Sequence, residues 1–143
     1  MKHLIAAMGL GVLTAGAATA QDVTAYDYEG SFDDASFALE NAIIGQGLVV
    51  DHVSHVGEML ARTREDVGSD VKLFEDAVVM QFCSAILSRK VMEADPLNIA
   101  HCPYGIFVTD RGGKVQIGYR NFPEGEMQEV QSFLDEIVQE ALD

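Results

Sequence analysis

Residues 73–120 read LFEDAVVMQFCSAILSRKVMEADPLNIAHCPYGIFVTDRGGKVQIGYR, and this stretch decides the fold. Its apolar segments 73–82, 104–109 and 114–119 predict strands, because short apolar runs bounded by turn residues are typical of buried strands. The segment 84–94 predicts a helix that ends at Asp95-Pro96. Asp110-Arg111-Gly112-Gly113 has the composition of a tight turn, so it predicts a β-hairpin between the last two strands.

Helices and strands also alternate outside this stretch. A helix is predicted after Ser31, which has acidic residues in the next turn and resembles an N-cap. Further elements are predicted as strands at 23–28 and 48–55 and helices at 57–67 and 124–142. We therefore expect an α+β (α/β-like) fold, a small two-layer domain with a mixed sheet of about five strands packed with about four helices.

The first twenty residues have the pattern of an export signal. Lys2 supplies a positive start, residues 4–13 are apolar, and Ala18-Thr19-Ala20 offers small residues before a cleavage point. The apolar run is shorter than the roughly 20 residues that a membrane-spanning helix needs. We predict a signal peptide at residues 1–20, a periplasmic protein, and a single domain over residues 21–143.

The chain is strongly acidic, with 9 Lys and Arg against 23 Asp and Glu and a net charge of −14 at pH 7. Such a surface repels phosphate backbones and anionic lipid, so neither nucleic acid nor a membrane is expected as a partner after signal cleavage. A basic exported protein would be attracted instead. The alternative is that the acidic surface only keeps an exported protein soluble.

Several motifs in the middle of the chain resemble those of a known family. They are Phe82-Cys83-Ser84, Met92 to Pro96, His101-Cys102-Pro103, and a Gly-Gly turn before residues 115–119. The sequence resembles the family named domain of unknown function 302 over residues 26–123. The resemblance implies a small dimeric α/β domain without an assigned activity. A homodimer is also expected because a small sheet that is covered on one face leaves its other face or an edge to be buried.

Cys83 and Cys102 are the only two cysteines of the chain. In an oxidising compartment they could form one disulfide, remain buried thiols, or act as a reactive or metal-bound thiol. The two residues lie at the end of one predicted strand and before the start of another. They share one end of the sheet only if these strands run antiparallel.

The histidines suggest a second possible site. His52, His55 and Met59 combine imidazole and thioether ligands, which suit copper, and His101 and Cys102 could add to such a set. The same side chains could ligate haem iron without covalent attachment, since no haem-linking Cys-x-x-Cys-His motif occurs. The alternative is that these histidines are ordinary surface residues.

No complete catalytic motif occurs in the sequence, so an enzymatic role is not favoured. Tyr119 and Arg120 lie at a strand end, and together with His101 they are candidate ligand-binding residues. We expect a non-enzymatic exported domain that binds a ligand near Cys83 and Cys102. The alternatives are a copper- or haem-binding or thiol redox protein, and an accessory subunit of an exported enzyme.

Overall fold

The computed structural model describes residues 22–143, so the predicted signal peptide lies outside the described residues. In chain order the elements are β1 (Val23–Asp27), α1 (Phe32–Gly45), β2 (His52–Ser54), α2 (Val56–Thr63), β3 (Asp76–Phe82), α3 (Ala85–Ala94), a 3₁₀ helix (Pro96–His101), β4 (Tyr104–Arg111), β5 (Lys114–Arg120) and α4 (Met127–Leu142). None of the helices in this part of the chain has the length and apolarity needed to cross a bilayer.

The five strands form one sheet in the order β1-β5-β4-β3-β2. This confirms the expected α+β class and the strand number. The sheet differs from the expectation in one respect, since all four pairings are antiparallel rather than mixed. Between β3 and β4, helix α3 leads the chain away from the sheet, and the 3₁₀ helix returns it to the end where β3 stopped. Strand β4 therefore starts at that end and runs antiparallel to β3.

One face of the sheet carries the core. Successive side chains of a strand point to opposite faces, and alternate residues of β3, β4 and β5 are buried against the helices. Helices α1 and α4 pack on each other and on β4 and β5, and α3 adds Leu87 and Val91 to the same core. The fully buried side chains on the two sides of this core include Phe82, Ile106, Ile117, Leu39, Leu134 and Ile137.

Local signals in the sequence set several element ends as predicted. Ser31 caps α1 through a capping box, in which its side chain accepts from the backbone of Asp34 and the Asp34 side chain accepts in return. At the predicted hairpin, Asp110 accepts a hydrogen bond from the Gly113 amide at 2.7 Å. Gly112 and Gly113 both have positive φ there, a conformation that glycine adopts without steric cost.

The region of β2 and α2 is less regular than its sequence predicts. The strand expected at 48–55 is reduced to three residues, and the helix expected at 57–67 ends at Thr63. Val49 and Val67 are each more than two-thirds exposed, so their apolar side chains do not contribute to the core. Within residues 48–55, only His52–Ser54 pair with β3 as a strand, and the Asp51 amide adds one hydrogen bond to the Gln81 carbonyl at 2.8 Å.

Candidate dithiol site

Cys83 and Cys102 lie together at one end of the sheet. Strand β3 pairs antiparallel with β4, and Phe82, the last residue of β3, pairs with Tyr104, the first residue of β4. The cysteines flank this pair, and their Sγ atoms are 3.2 Å apart. The sequence allows the two cysteines to share one end of the sheet only if these strands run antiparallel. They do, and an antiparallel pairing brings the end of one strand to the start of the next.

Accessibility differs between the two thiols. Cys83 is exposed, whereas Cys102 is half-buried and packs against the core. A reagent or a partner's sulfur arriving from solvent therefore meets Cys83 first. Closing a disulfide, whose S–S bond is about 2.0 Å long, requires the two sulfur atoms to approach by only about 1 Å.

Two hydroxyl groups lie behind the cysteines. The Ser88 hydroxyl, on α3, is 3.7 Å from the Cys102 Sγ and donates a hydrogen bond to the Tyr104 hydroxyl at 3.1 Å. Ser84 begins α3 by accepting from the Leu87 amide, which fixes the helix immediately after Cys83. Tyr104 is almost fully buried. These contacts attach Cys102 to the core and leave Cys83 at the surface.

The site does not stabilise a thiolate. The position of Cys83 before a helix N-terminus would by itself favour the charged sulfur. Partial burial, the contact with Cys102 and the negative charges of Cys102 and Asp51 act in the opposite direction and raise the pKa of Cys83 to about 11. Burial likewise raises the pKa of Tyr104, with a smaller opposing effect from its hydrogen bond with Ser88. Reduced Cys83 is therefore present as a thiol at neutral pH.

His101 immediately precedes the half-buried Cys102 and adds a second feature to this end of the sheet. Its ring meets Phe122 edge-on, with the ring centroids 5.4 Å apart. Its Nδ1 atom is buried and has no hydrogen-bond partner among the described residues. Of the predicted ligand-binding residues, His101 is therefore beside the cysteines and retains an unused polar atom.

The other two predicted ligand-binding residues point to opposite faces of the sheet. Tyr119 is buried in the core, where its hydroxyl donates to Asp135 at 2.8 Å, and Arg120 is exposed on the other face. Tyr26 donates to the same carboxylate at 2.7 Å. Burial, followed by the hydrogen bond to Asp135, raises the pKa of Tyr119 far above its ordinary value. Tyr119 thus anchors α4 to the sheet, and ligand binding by Tyr119 and Arg120 stays a prediction.

His52, His55 and Met59 lie on consecutive elements near the opposite edge of the sheet from β1. His52 begins β2 and is exposed, and His55 precedes α2 with its Nδ1 4.0 Å from a carboxylate oxygen of Glu58. Met59 is one helical turn later, and its amide donates to the His55 carbonyl. Residues 22–143 contain no group of three or more His, Cys, Asp or Glu side chains placed to hold a metal ion. Copper and haem binding stay predictions.

Sequence reasoning missed two residues that shape these surroundings. Asp51 acts on Cys83 from the start of the neighbouring β2 segment, and Asp135 accepts from two tyrosines of the sheet. Asp135 follows Leu134 on the helix that carries the longest apolar stripe. The sequence signal for this contact is a carboxylate next to an apolar helix stripe, together with tyrosines on two predicted strands.

Comparisons with known proteins agree with this architecture. A family model described as "Domain of unknown function DUF302" matches residues 24–143. No curated protein matches the chain. Among solved structures, the chain is similar to one described as "Crystal structure of uncharacterized conserved protein DUF302 from Bacillus stearothermophilus". The similarity has a TM-score of 0.66 at 19% sequence identity, and it covers 87% of this chain and 98% of that chain. At this identity the similarity concerns the fold.

Proposed function

The chain belongs to the family described as domain of unknown function DUF302, and we propose that within this family it is an exported thiol protein that works through reversible oxidation of Cys83 and Cys102. The observation that carries the proposal is the distance of 3.2 Å between the two Sγ atoms at an accessible end of the sheet. No other pair of side chains described above combines contact, accessibility and chemical reactivity in this way.

The reaction is thiol–disulfide exchange with an external disulfide R–S–S–R. The exposed Cys83 thiolate attacks one sulfur of R–S–S–R, which forms a mixed disulfide and releases one R–S⁻. Cys102 then attacks the Cys83 sulfur, which closes the internal disulfide and releases the second R–S⁻. Two electrons pass from the cysteine pair to the external disulfide, and the two thiol protons pass to solvent or to the released thiolates.

The raised pKa of Cys83 gives this exchange a preferred direction. Dithiol proteins that oxidise others have low thiol pKa values, because a stabilised thiolate stabilises their reduced form. Here the site disfavours the thiolate, so the reduced form gains no such stabilisation. The disulfide form is thus favoured, and the reduced pair is suited to giving electrons to a partner.

A redox titration tests the proposal. The mature protein is equilibrated with mixtures of reduced and oxidised glutathione, quenched with acid, and labelled with a maleimide, and the number of labels is measured by mass spectrometry. We expect a single two-electron transition from two labels to none. The Cys83→Ser and Cys102→Ser variants should show no internal disulfide. A pair that keeps both labels in fully oxidised glutathione would refute the proposal.

Other functions expected from the sequence have no single observation in their favour. These are ligand binding by a homodimer, copper or haem ligation, and service as an accessory subunit of an exported enzyme. They stay predictions, as does export itself. Absorption spectra and metal analysis of the native protein test the ligation, and size measurement in solution tests the homodimer.

A further inference from the structure

The sheet has a second face that the helices of the core do not cover. It carries the strand residues that alternate with the buried ones, since neighbouring residues of a strand point to opposite sides. Apolar side chains from three strands, β1, β3 and β4, line it, with α2 and the segment before β3 forming a wall along one side. The apolar residues of this open face include Val23, Ala25, Ala77, Val79 and Phe107 on the strands and Val56 and Phe74 on the wall.

The floor of the open face is smooth because a glycine lies under its aromatic ring. A Cβ atom placed on Gly118 would lie 2.5 Å from the Cζ atom of Phe107, so the Phe107 ring lies across the place where a side chain would stand. Gly105 on β4 has no side chain either. The lining residues of the floor lie on β1, β5, β4 and β3, whose three spacings of about 4.8 Å give a floor about 14 Å wide.

The hairpin end of the open face carries an unmatched positive charge. Arg111 lines the same cavity, together with the polar residues Thr109 and Gln116. Its cross-strand neighbour Lys114 forms an ion pair with Asp27 at 3.2 Å, and on the other side Lys72 forms one with Glu75.

The guanidinium of Arg111 makes no ion pair or hydrogen bond with any residue between 22 and 143. Among residues 22–143, Arg62, Arg64 and Arg120 likewise form no ion pair, and Arg111 is the arginine that lines the cavity of the open face.

We propose that the open face binds an amphipathic anion, a small molecule with a carboxylate head and an apolar chain. The head lies at Arg111, whose guanidinium matches a carboxylate with two parallel hydrogen bonds. The chain lies along the floor over Val79 and Phe107. A few directed polar groups at one end of an apolar surface are typical of sites for such ligands.

A second copy of the chain is the competing occupant of the open face. A two-fold contact would place the same patch on both sides, so each Arg111 would need an acidic partner from that patch. The carboxylates available there are those of Asp27 and Glu75, and both are already in ion pairs. Two strongly acidic chains also repel each other as they approach. The charge pattern therefore favours the amphipathic anion.

Calorimetric titration of the mature protein with laurate, below its micelle concentration, tests the proposal. Dodecyltrimethylammonium, which carries the same chain and a positive head, serves as the opposite-charge probe. The overall charge of the protein favours the cation and the open face favours the anion, so the two effects predict opposite outcomes. We expect laurate to bind and the cation to bind at least tenfold more weakly.

Variants locate the site. Arg111→Gln should weaken laurate binding about tenfold, the size expected for a lost charge-assisted hydrogen bond. Arg89→Gln, which removes an exposed guanidinium of α3, is the matched control and should leave the binding unchanged. Val79→Asp should abolish the binding, with circular dichroism as the check on folding. An unchanged affinity in Arg111→Gln, or equal binding of the two probes, would overturn the proposal. So would a dimer that Val79→Asp dissociates while laurate binds neither protein.

Discussion

Oxidation of Cys83 and Cys102 should stabilise the folded protein by about 3 kcal/mol. The disulfide would close a loop of twenty residues, counted from one cysteine to the other, and the loss of chain entropy in the unfolded state gives this value for a loop of that length. The native structure needs little adjustment, since the sulfur atoms are already 3.2 Å apart. Most of the entropic effect should therefore appear in the measured free energy of unfolding.

Urea unfolding of the oxidised and the reduced protein measures this difference. With the slopes usual for small domains, about 3 kcal/mol moves the urea midpoint by roughly 1–2 M. In a thermal scan the same change amounts to roughly 10 °C. The Cys102→Ser variant is the control, and its midpoint should be the same in both conditions. Coincident curves for the oxidised and reduced wild-type protein, or a less stable oxidised form, would refute the reasoning.

Three further predictions concern single side chains. Because the pKa of Cys83 is raised, the rate of its alkylation by iodoacetamide at pH 7 should be about 100-fold lower than that of a thiol of pKa 9.0. The rate should keep rising with pH to about pH 11. A plateau near pH 9 would contradict this prediction. Tyr119→Phe should lower the free energy of unfolding in urea by about 1–2 kcal/mol, and it should reduce the loss of stability above pH 10, since a raised tyrosine pKa stabilises the fold only while the unfolded tyrosine is still protonated. Tyr26→Phe removes the other hydroxyl on Asp135 and should cost less, because Tyr26 is less buried. Equal costs of the two substitutions would count against the burial argument. Gly118→Ala should lower the free energy of unfolding by more than about 2 kcal/mol, because the added Cβ would lie 2.5 Å from the Thr24 carbonyl oxygen. In Gly105→Ala the added Cβ meets the Val79 side chain at 3.2 Å, so this substitution should cost clearly less.

The local features of the fold were predictable because each depends on a few neighbouring residues. Ser31 with Asp34 specifies a capping box, and Asp110 to Gly113 specifies a turn whose glycines adopt positive φ. The apolar alternation of β4 and β5 likewise appears directly in the sequence. These signals suffice for the α+β class and for the number of strands.

Strand direction was not predictable in the same way. A helix between two strands is the usual sign of a parallel crossover, and α3 lies between β3 and β4. The sequence contains the return of the chain through Pro96–His101, but nothing local says that this segment leads back to the end where β3 stopped. The antiparallel pairing, and with it the meeting of Cys83 and Cys102, is a property of the whole fold.

The predicted sites met a similar limit. Both cysteines and His101 were recognised because their chemistry is distinctive. Tyr119 and Arg120 were grouped because they are adjacent in sequence, yet adjacent residues of a strand point to opposite faces. The partner of Tyr119, Asp135, lies on a helix whose packing position the sequence does not specify. Interactions between distant segments thus account for most of what the sequence left open.

The most direct test of the central claim is the oxidation state of the cysteines in the protein as it exists in its own compartment. Cells are quenched in acid, free thiols are blocked with one maleimide, the sample is reduced, and newly released thiols are labelled with a second, heavier maleimide before mass spectrometry of residues 83 and 102. A dithiol pair that closes to a disulfide predicts that both cysteines carry the heavier label in a substantial fraction of the molecules. Cysteines that carry only the first label, under every growth condition and after treatment with oxidised glutathione, would contradict it.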